Sequence, residues 1–189
     1  MKAYYKDLAY NIQHIRNYLS QKSTETLIHV FISSCLDYCN GLLYGLLYLS
    51  LHKLQHVQHK CLCIFNEHKF FHIIPGLIME LHWLPIKCRL EFKTFLITFK
   101  ILHVLAPSFL SSLISLRPPS RYNLRISNEN LLLSYPSFLC KAALGDRSFT
   151  CAAPRLWNSL LFDVRCTKSV DVFKGKLKTS LFSSACLLS

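Results

Sequence analysis

The run Ile86–Leu105, IKCRLEFKTFLITFKILHVL, decides the architecture. Pro85 stands just before it and supplies the fixed φ that suits a first helical turn. No Gly or Pro interrupts the run. At helical spacing, Arg89, Lys93, Lys100 and His103 fall on one stripe. Phe92, Phe95, Leu96, Phe99 and Leu102 form one flank, and Leu90, Ile97, Ile101 and Val104 form the other. A basic stripe between two apolar flanks predicts a helix packed on both sides with one edge left open.

Working back toward the N-terminus, Leu8, Ile12, Ile15 and Leu19 repeat at helical spacing and predict a helix over 4–19. Ser23 or Thr24 is placed to cap the next helix, with Glu25 in its first turn. That helix is expected to run through Leu27, Val30 and Phe31 to about Tyr38. Asn40-Gly41 then marks a turn. A third helix is expected over Leu49–Phe65, and Pro75-Gly76 breaks the pattern before Leu81. The stretch Leu27–Leu51 carries only one charge, Asp37, and is long enough to span a bilayer. However, Asp37, Asn40, Gly41, His29 and several serines interrupt it, and no basic flank fixes an orientation. A buried helix pair is the better reading, and a membrane partner is disfavoured.

Past the long helix, Pro107 restarts a short one ending near Leu116. The texture then changes: Arg117–Pro136 is rich in Pro, Ser and Asn, with Arg121 and Arg125 inside it. Short β segments are expected near Asn130–Tyr135 and Phe138–Ala142. Phe149–Leu160 reads as a helix carrying Trp157. Ser169 and Asp171 open a last helix with Val170, Phe173, Leu177 and Leu181 on its apolar face and Lys174, Lys176 and Lys178 outside. The expected fold class is mainly α: a helical bundle over 1–116, then a basic segment over 117–189 with a small α+β character.

The composition, 51% hydrophobic and 17% charged, is that of a globular chain. Its charge is lopsided. Lys and Arg total 22 against ten acids, a net charge of +12, and ten of those twelve units arise from Leu84 onward. Such an excess points to a polyanionic partner, RNA or DNA above all. Nine cysteines without framework spacing, and a start lacking an apolar signal core, predict a reduced intracellular setting, nucleus or cytoplasm.

Motifs that carry chemistry are sparse. The ten acids are scattered with no Asp-Asp pair to hold two metal ions. The glycines, at 41, 45, 76, 145 and 175, form no phosphate-binding loop. His52, His56, His59 and Cys63 share one helical face with zinc-type ligands, but no partner pair of cysteines accompanies them, so zinc is disfavoured. No cofactor and no catalytic residue is expected. The basic residues carry the better-motivated function. Arg89, Lys93, Lys100, Arg121, Arg125, Arg147, Arg155, Lys174 and Lys178 are the candidate contacts to phosphate. Phe92, Phe95, Tyr122, Phe149 and Trp157 are interleaved with them, and such rings either stack on unpaired bases or belong to the core. Trp83 and Trp157 sit in apolar runs and are expected to anchor the core.

Seven phrases occur in order: Ser34–Gly45 (SCLDYCNGLLYG), Leu54–Gln58 (LQHVQ), Leu81–Ile86 (LHWLPI), Lys100–Leu110 (KILHVLAPSFL), Gly145–Phe149 (GDRSF), Ala153–Leu160 (APRLWNSL) and Phe173–Lys178 (FKGKLK). Together they closely resemble the C-terminal region of reverse transcriptases of non-LTR retrotransposons, of the Jockey and chicken-repeat type. The resemblance runs from about Tyr4 to Phe182. It implies a thumb-like helical region over 1–116 and a downstream segment, following the polymerase palm that holds the paired catalytic aspartates. No active-site residue carries over. The implied task is to hold the RNA or RNA–DNA template–primer duplex beside that palm, as the non-catalytic part of an RNA-directed DNA polymerase.

The chain departs from the family pattern at several points. Cys35 stands where a basic residue is usual, and His59–Cys63 where a small-residue run with Arg is usual. Leu47 and Leu161 occupy positions usually held by Pro. The departures fit an unconstrained copy of such an element, and they place the His/Cys cluster where the family has no ligands. Two other readings stand beside nucleic-acid binding: a host-adopted protein-interaction module, and a translated relic without selected function.

Overall fold

The computed structural model describes residues 2–38, 44–46, 48–66, 76, 78, 81, 83–117, 131–134 and 148–186. The protein is mainly α-helical, as its periodicity predicts. The chain forms two compact units, one comprising 1–40, 46–89 and 188–189, the other 41–45 and 90–187.

In the first unit, α1 spans Lys2–Ile15 and tightens into a 3-10 turn over Arg16–Tyr18. The Arg16 guanidinium donates to its own turn at the Leu19 carbonyl and to the carbonyls of Ile64 and Phe65. Helix α2, Gln21–Ile28, begins earlier than its capping signals suggest. Ser20, not Ser23 or Thr24, is the cap: its hydroxyl accepts from the Ser23 backbone N–H at 3.1 Å. Thr24 is buried one turn on and donates to the Ser20 carbonyl. The helix widens into a π turn at His29–Ser33 and closes as α3, Ser34–Asp37. Helix α4 covers Tyr48–Asn66. Ala9 and Ile12 of α1, Ile28, Ile32 and Leu36, and Val57, Cys61, Leu62 and Phe65 of α4 share one core with Trp83 and Ile86.

The long helix α5 runs Ile86–Leu102. Leu90, Phe95, Phe99 and Ile101 are buried, as are Thr94 and Thr98. Two hydroxyls on an apolar arc need partners, and each donates to the carbonyl one turn back, Leu90 and Thr94 respectively. The helix ends three residues before the expected Leu105. Val104 N–H bonds to the Ile101 carbonyl and Leu105 N–H to Lys100, the paired closure of a Schellman motif. That motif wants a left-handed residue after the cap, and Val104 fills it at φ 57°. A β-branched side chain pays about 1–2 kcal/mol there. Val104 is 88% exposed, so it offsets little of that cost by packing. Val104→Gly is therefore expected to raise stability by about 1 kcal/mol after allowing for glycine's unfolded-state entropy, measured by urea titration; a loss of stability would refute the strain.

The second unit continues with α6, Ser108–Ser111, α7, Phe149–Ser159, α8, Phe162–Arg165, and α9, Val170–Cys186. Phe99 stacks on Phe173 with ring centroids 4.2 Å apart, and Trp157 packs against Phe173 at 6.0 Å. Leu177 and Leu181 continue the buried face of α9. Among the described residues the C-terminal part contains no strand. The β feature there is an isolated antiparallel bridge between Leu116 and Leu132, so the described part of the expected segment 130–135, residues 131–134, forms no strand; the expected segment 138–142 lies outside the described residues. Asn158 substitutes for a neighbouring strand. Its side chain accepts from Leu132 N–H and donates to the Leu132 carbonyl, both at 2.9 Å.

Candidate nucleic-acid interface

The predicted contacts fall on several elements. On α5, burial covers the arc of Leu90, Thr94, Thr98 and Ile101 around to Phe95 and Phe99, leaving the stripe of Arg89, Lys93 and Lys100 at the open edge. The three are not equivalent. Lys93 is exposed. Lys100 is half-buried in the last turn, where a cation complements the helix dipole. Arg89 is turned to structural work: Nη1 donates to Asp37 Oδ1 at 3.1 Å and Nε to the Leu84 carbonyl at 3.1 Å. Its side chain is 14% exposed and that of Asp37 48%, so the pair is partly shielded from solvent.

On α9, Lys174 and Lys178 are exposed one turn apart, flanking the buried face of Phe173 and Leu177. Lys174 pairs with Asp171 at 3.1 Å, and the Lys178 ammonium sits 5.9 Å from the centre of the Phe182 ring. Such exposed pairs contribute little to stability. Lys176, also exposed, donates to the Asp163 carbonyl at 3.2 Å. Lys168 is exposed just before this helix. The helical pattern places Lys176 on the outer face of the helix, whereas Lys168, a loop lysine, has no periodicity to read. Arg155 is exposed on α7 and, like Glu91, acts on the Tyr44 phenol. Burial pushes that phenol's pKa up, Glu91 adds to the shift and Arg155 opposes it. Arg121, Arg125, Arg147 and Tyr122 lie outside the described residues.

The aromatic candidates separate by burial. Phe95 and Trp157 are core residues with no face left for a base. Phe92 and Phe149 are half-buried. Trp83 is buried in the first unit, its ring 5.1 Å from that of His29.

No family model, curated protein or solved structure matches this chain.

In the cysteine and histidine cluster of α4, His52 and His56 are exposed and His59 is half-buried. Among the described residues, no group of three or more His, Cys, Asp or Glu side chains is placed to hold a metal ion. Cys61 faces the core, and burial pushes its thiol pKa up to about 12, against a smaller opposing effect of Arg89. Among the described residues, no helix is long and apolar enough to cross a membrane.

Proposed function

We propose that this chain is the C-terminal, non-catalytic region of a non-LTR retrotransposon reverse transcriptase, and that it holds RNA or an RNA–DNA duplex through phosphate contacts that ignore sequence. The observation that carries the proposal is the ordered set of seven phrases, which coincide with residues that tie each unit together. Gln55 and Gln58 of one phrase bond to Leu84 and Ile86 of another. Asp37 of a third receives Arg89. Trp157 and Phe173, from two more, pack on each other. The charge distribution supports the partner, since ten of the twelve net positive charges follow Leu84. Lys93, Lys100, Arg155, Lys174 and Lys178 are the proposed contacts among the described residues, with Arg121, Arg125 and Arg147 added from the sequence.

A labelled RNA–DNA hybrid tests this. Each phosphate contact contributes about 0.9 to the slope of log affinity against log salt. Lys174→Ala with Lys178→Ala is expected to lower that slope by nearly two and to weaken binding alike for unrelated sequences. Weak binding that ignores salt would sink the proposal.

A second reading, a host-adopted protein-interaction module, is favoured by one observation. Tyr10, Tyr18, Val30, Phe31 and Tyr38 on the first helices are exposed. In a full polymerase the palm domain is the proposed occupant of such a surface; alone, a host protein would be. A partner retained at high salt and lost on Tyr18→Ser with Phe31→Ser would select this reading. A translated relic without selected function is the third, and the absence of a cooperative thermal transition would select it.

A further inference from the structure

The joint between α4 and the start of α5 is fastened by a hydrogen-bond network in which every direction is forced. Ile86 N–H lies 2.9 Å from a terminal atom of the Gln55 side chain. A backbone N–H only donates, so that atom is the amide oxygen, Oε1. The Gln55 amide nitrogen must then occupy the other position, where it donates to Gln58 Oε1 at 2.9 Å and lies 2.8 Å from His59 Nε2. Gln58 is fixed independently: its nitrogen donates to the Leu84 carbonyl at 2.9 Å, which leaves its oxygen as the acceptor. Gln58 is 1% exposed, so water does not readily replace a lost partner. With both hydrogens of the Gln55 nitrogen assigned, His59 Nε2 has to accept. The ring is therefore neutral, with its proton on Nδ1.

We infer that His59 is an acid-sensitive latch: protonating Nε2 sets N–H against N–H and releases Gln55 from the first turn of α5. The proton comes from solvent, no bond other than N–H forms, and the step reverses on deprotonation. The surroundings act in the same direction. Burial holds the His59 pKa below the ordinary imidazole value, and His56 and His52 on the same helix add to this. The charged and titratable groups on the elements packed with α4 include Arg16, which bonds the Ile64 and Phe65 carbonyls, Glu25 of α2 with His29 of the π turn, Lys87 and Cys88 in the first turn of α5, and Arg89 with Asp37 beside Leu84. The sign follows. Because the folded ring resists protonation, the latch is fully present above the ordinary histidine pKa of about 6.5 and is lost as pH falls below it. This device goes beyond the nucleic-acid reading and does not depend on it.

Long-range nitrogen–proton NMR on the full chain reads the tautomer directly, and His59→Gln identifies the signal by its absence. The Nδ1–H tautomer is expected, with a midpoint below the ordinary histidine value. At the same midpoint, Ile86 amide exchange should rise on the order of tenfold relative to its intrinsic rate, the loss of about one hydrogen bond. Gln55→Glu supplies the reciprocal test. A carboxylate still accepts from Ile86; it gives up the bond to Gln58 Oε1, which also only accepts, and favours a protonated ring, so the His59 midpoint should move above the ordinary value. An Nε2–H tautomer, an Ile86 amide indifferent to pH, or an unreversed shift in Gln55→Glu would each overturn the inference.

Discussion

Replacing Trp157 with alanine is expected to cost about 3–5 kcal/mol of folding stability. The indole is 1% exposed and lies where α7, α9 and α5 converge, through Phe173 and from there Phe99. Its removal deletes the largest fully buried side chain of the chain's described part and leaves a void that helices cannot close without moving their axes. The adjacent backbone is already committed. Ala152 and Ala153 are buried, and Pro154 stands inside the helix with no N–H to give to the preceding turn. Trp157→Phe keeps most of the apolar volume and should lose under half as much. Denaturant titration followed by far-ultraviolet circular dichroism measures both. A loss under about 1 kcal/mol for the alanine variant would mean that this cluster does not hold the second unit together.

The second large effect is chemical. Cys61 should react with iodoacetamide on the order of 10³-fold more slowly than an unperturbed thiol at pH 8, before any steric protection is counted. Only the thiolate attacks, and burial lifts the Cys61 pKa to about 12, some three units above its ordinary value. Cys166, which is exposed, should label at once. Mass spectrometry of timed samples separates the two sites. Rapid labelling of Cys61 in native protein would show that the core between α1, α2 and α4 opens readily. Because Cys151 is buried in the second unit, its labelling serves as a separate clock for that unit.

Much of the helical framework was legible because local signals agreed with one another. Pro85 and an uninterrupted apolar pattern announced α5, and Phe173, Leu177 and Leu181 announced the buried face of α9. Where several groups compete for one role, the pattern was ambiguous. Ser20, Ser23 and Thr24 all offer a capping hydroxyl, and the choice of Ser20 depends on how the chain leaves the 3-10 turn. The early end of α5 was hidden because valine at a left-handed position contradicts its own propensity. The basic stripe of α5 was legible as a stripe and no further. Spacing places Arg89 beside Lys93, but that Asp37 meets Arg89 depends on a pairing 52 residues apart in the chain. In the sequence the glutamines of 54–58 are only part of a phrase, whereas their bonds to Leu84 and Ile86 come only with tertiary packing.

The wide turn at His29–Ser33 has a consequence for how this chain tolerates insertions and deletions. In a regular helix four residues overshoot a full revolution by about 40°. Ile28, Ile32 and Leu36, spaced by four, would drift around the axis, yet all three are buried in one core. A turn that closes five residues back absorbs the drift. Excising one residue from it would restore an ordinary helix, and Ile28 and Leu36 would then be separated by seven steps of about 100°, within about 20° of two full revolutions. Leu36 would stay in the core, and Asp37 would keep its side of the helix. Lengthening the same turn by one residue would add a step of about 100° with no wider closure to take it up, and would turn both away. This stretch should therefore tolerate the loss of one residue far better than the gain of one.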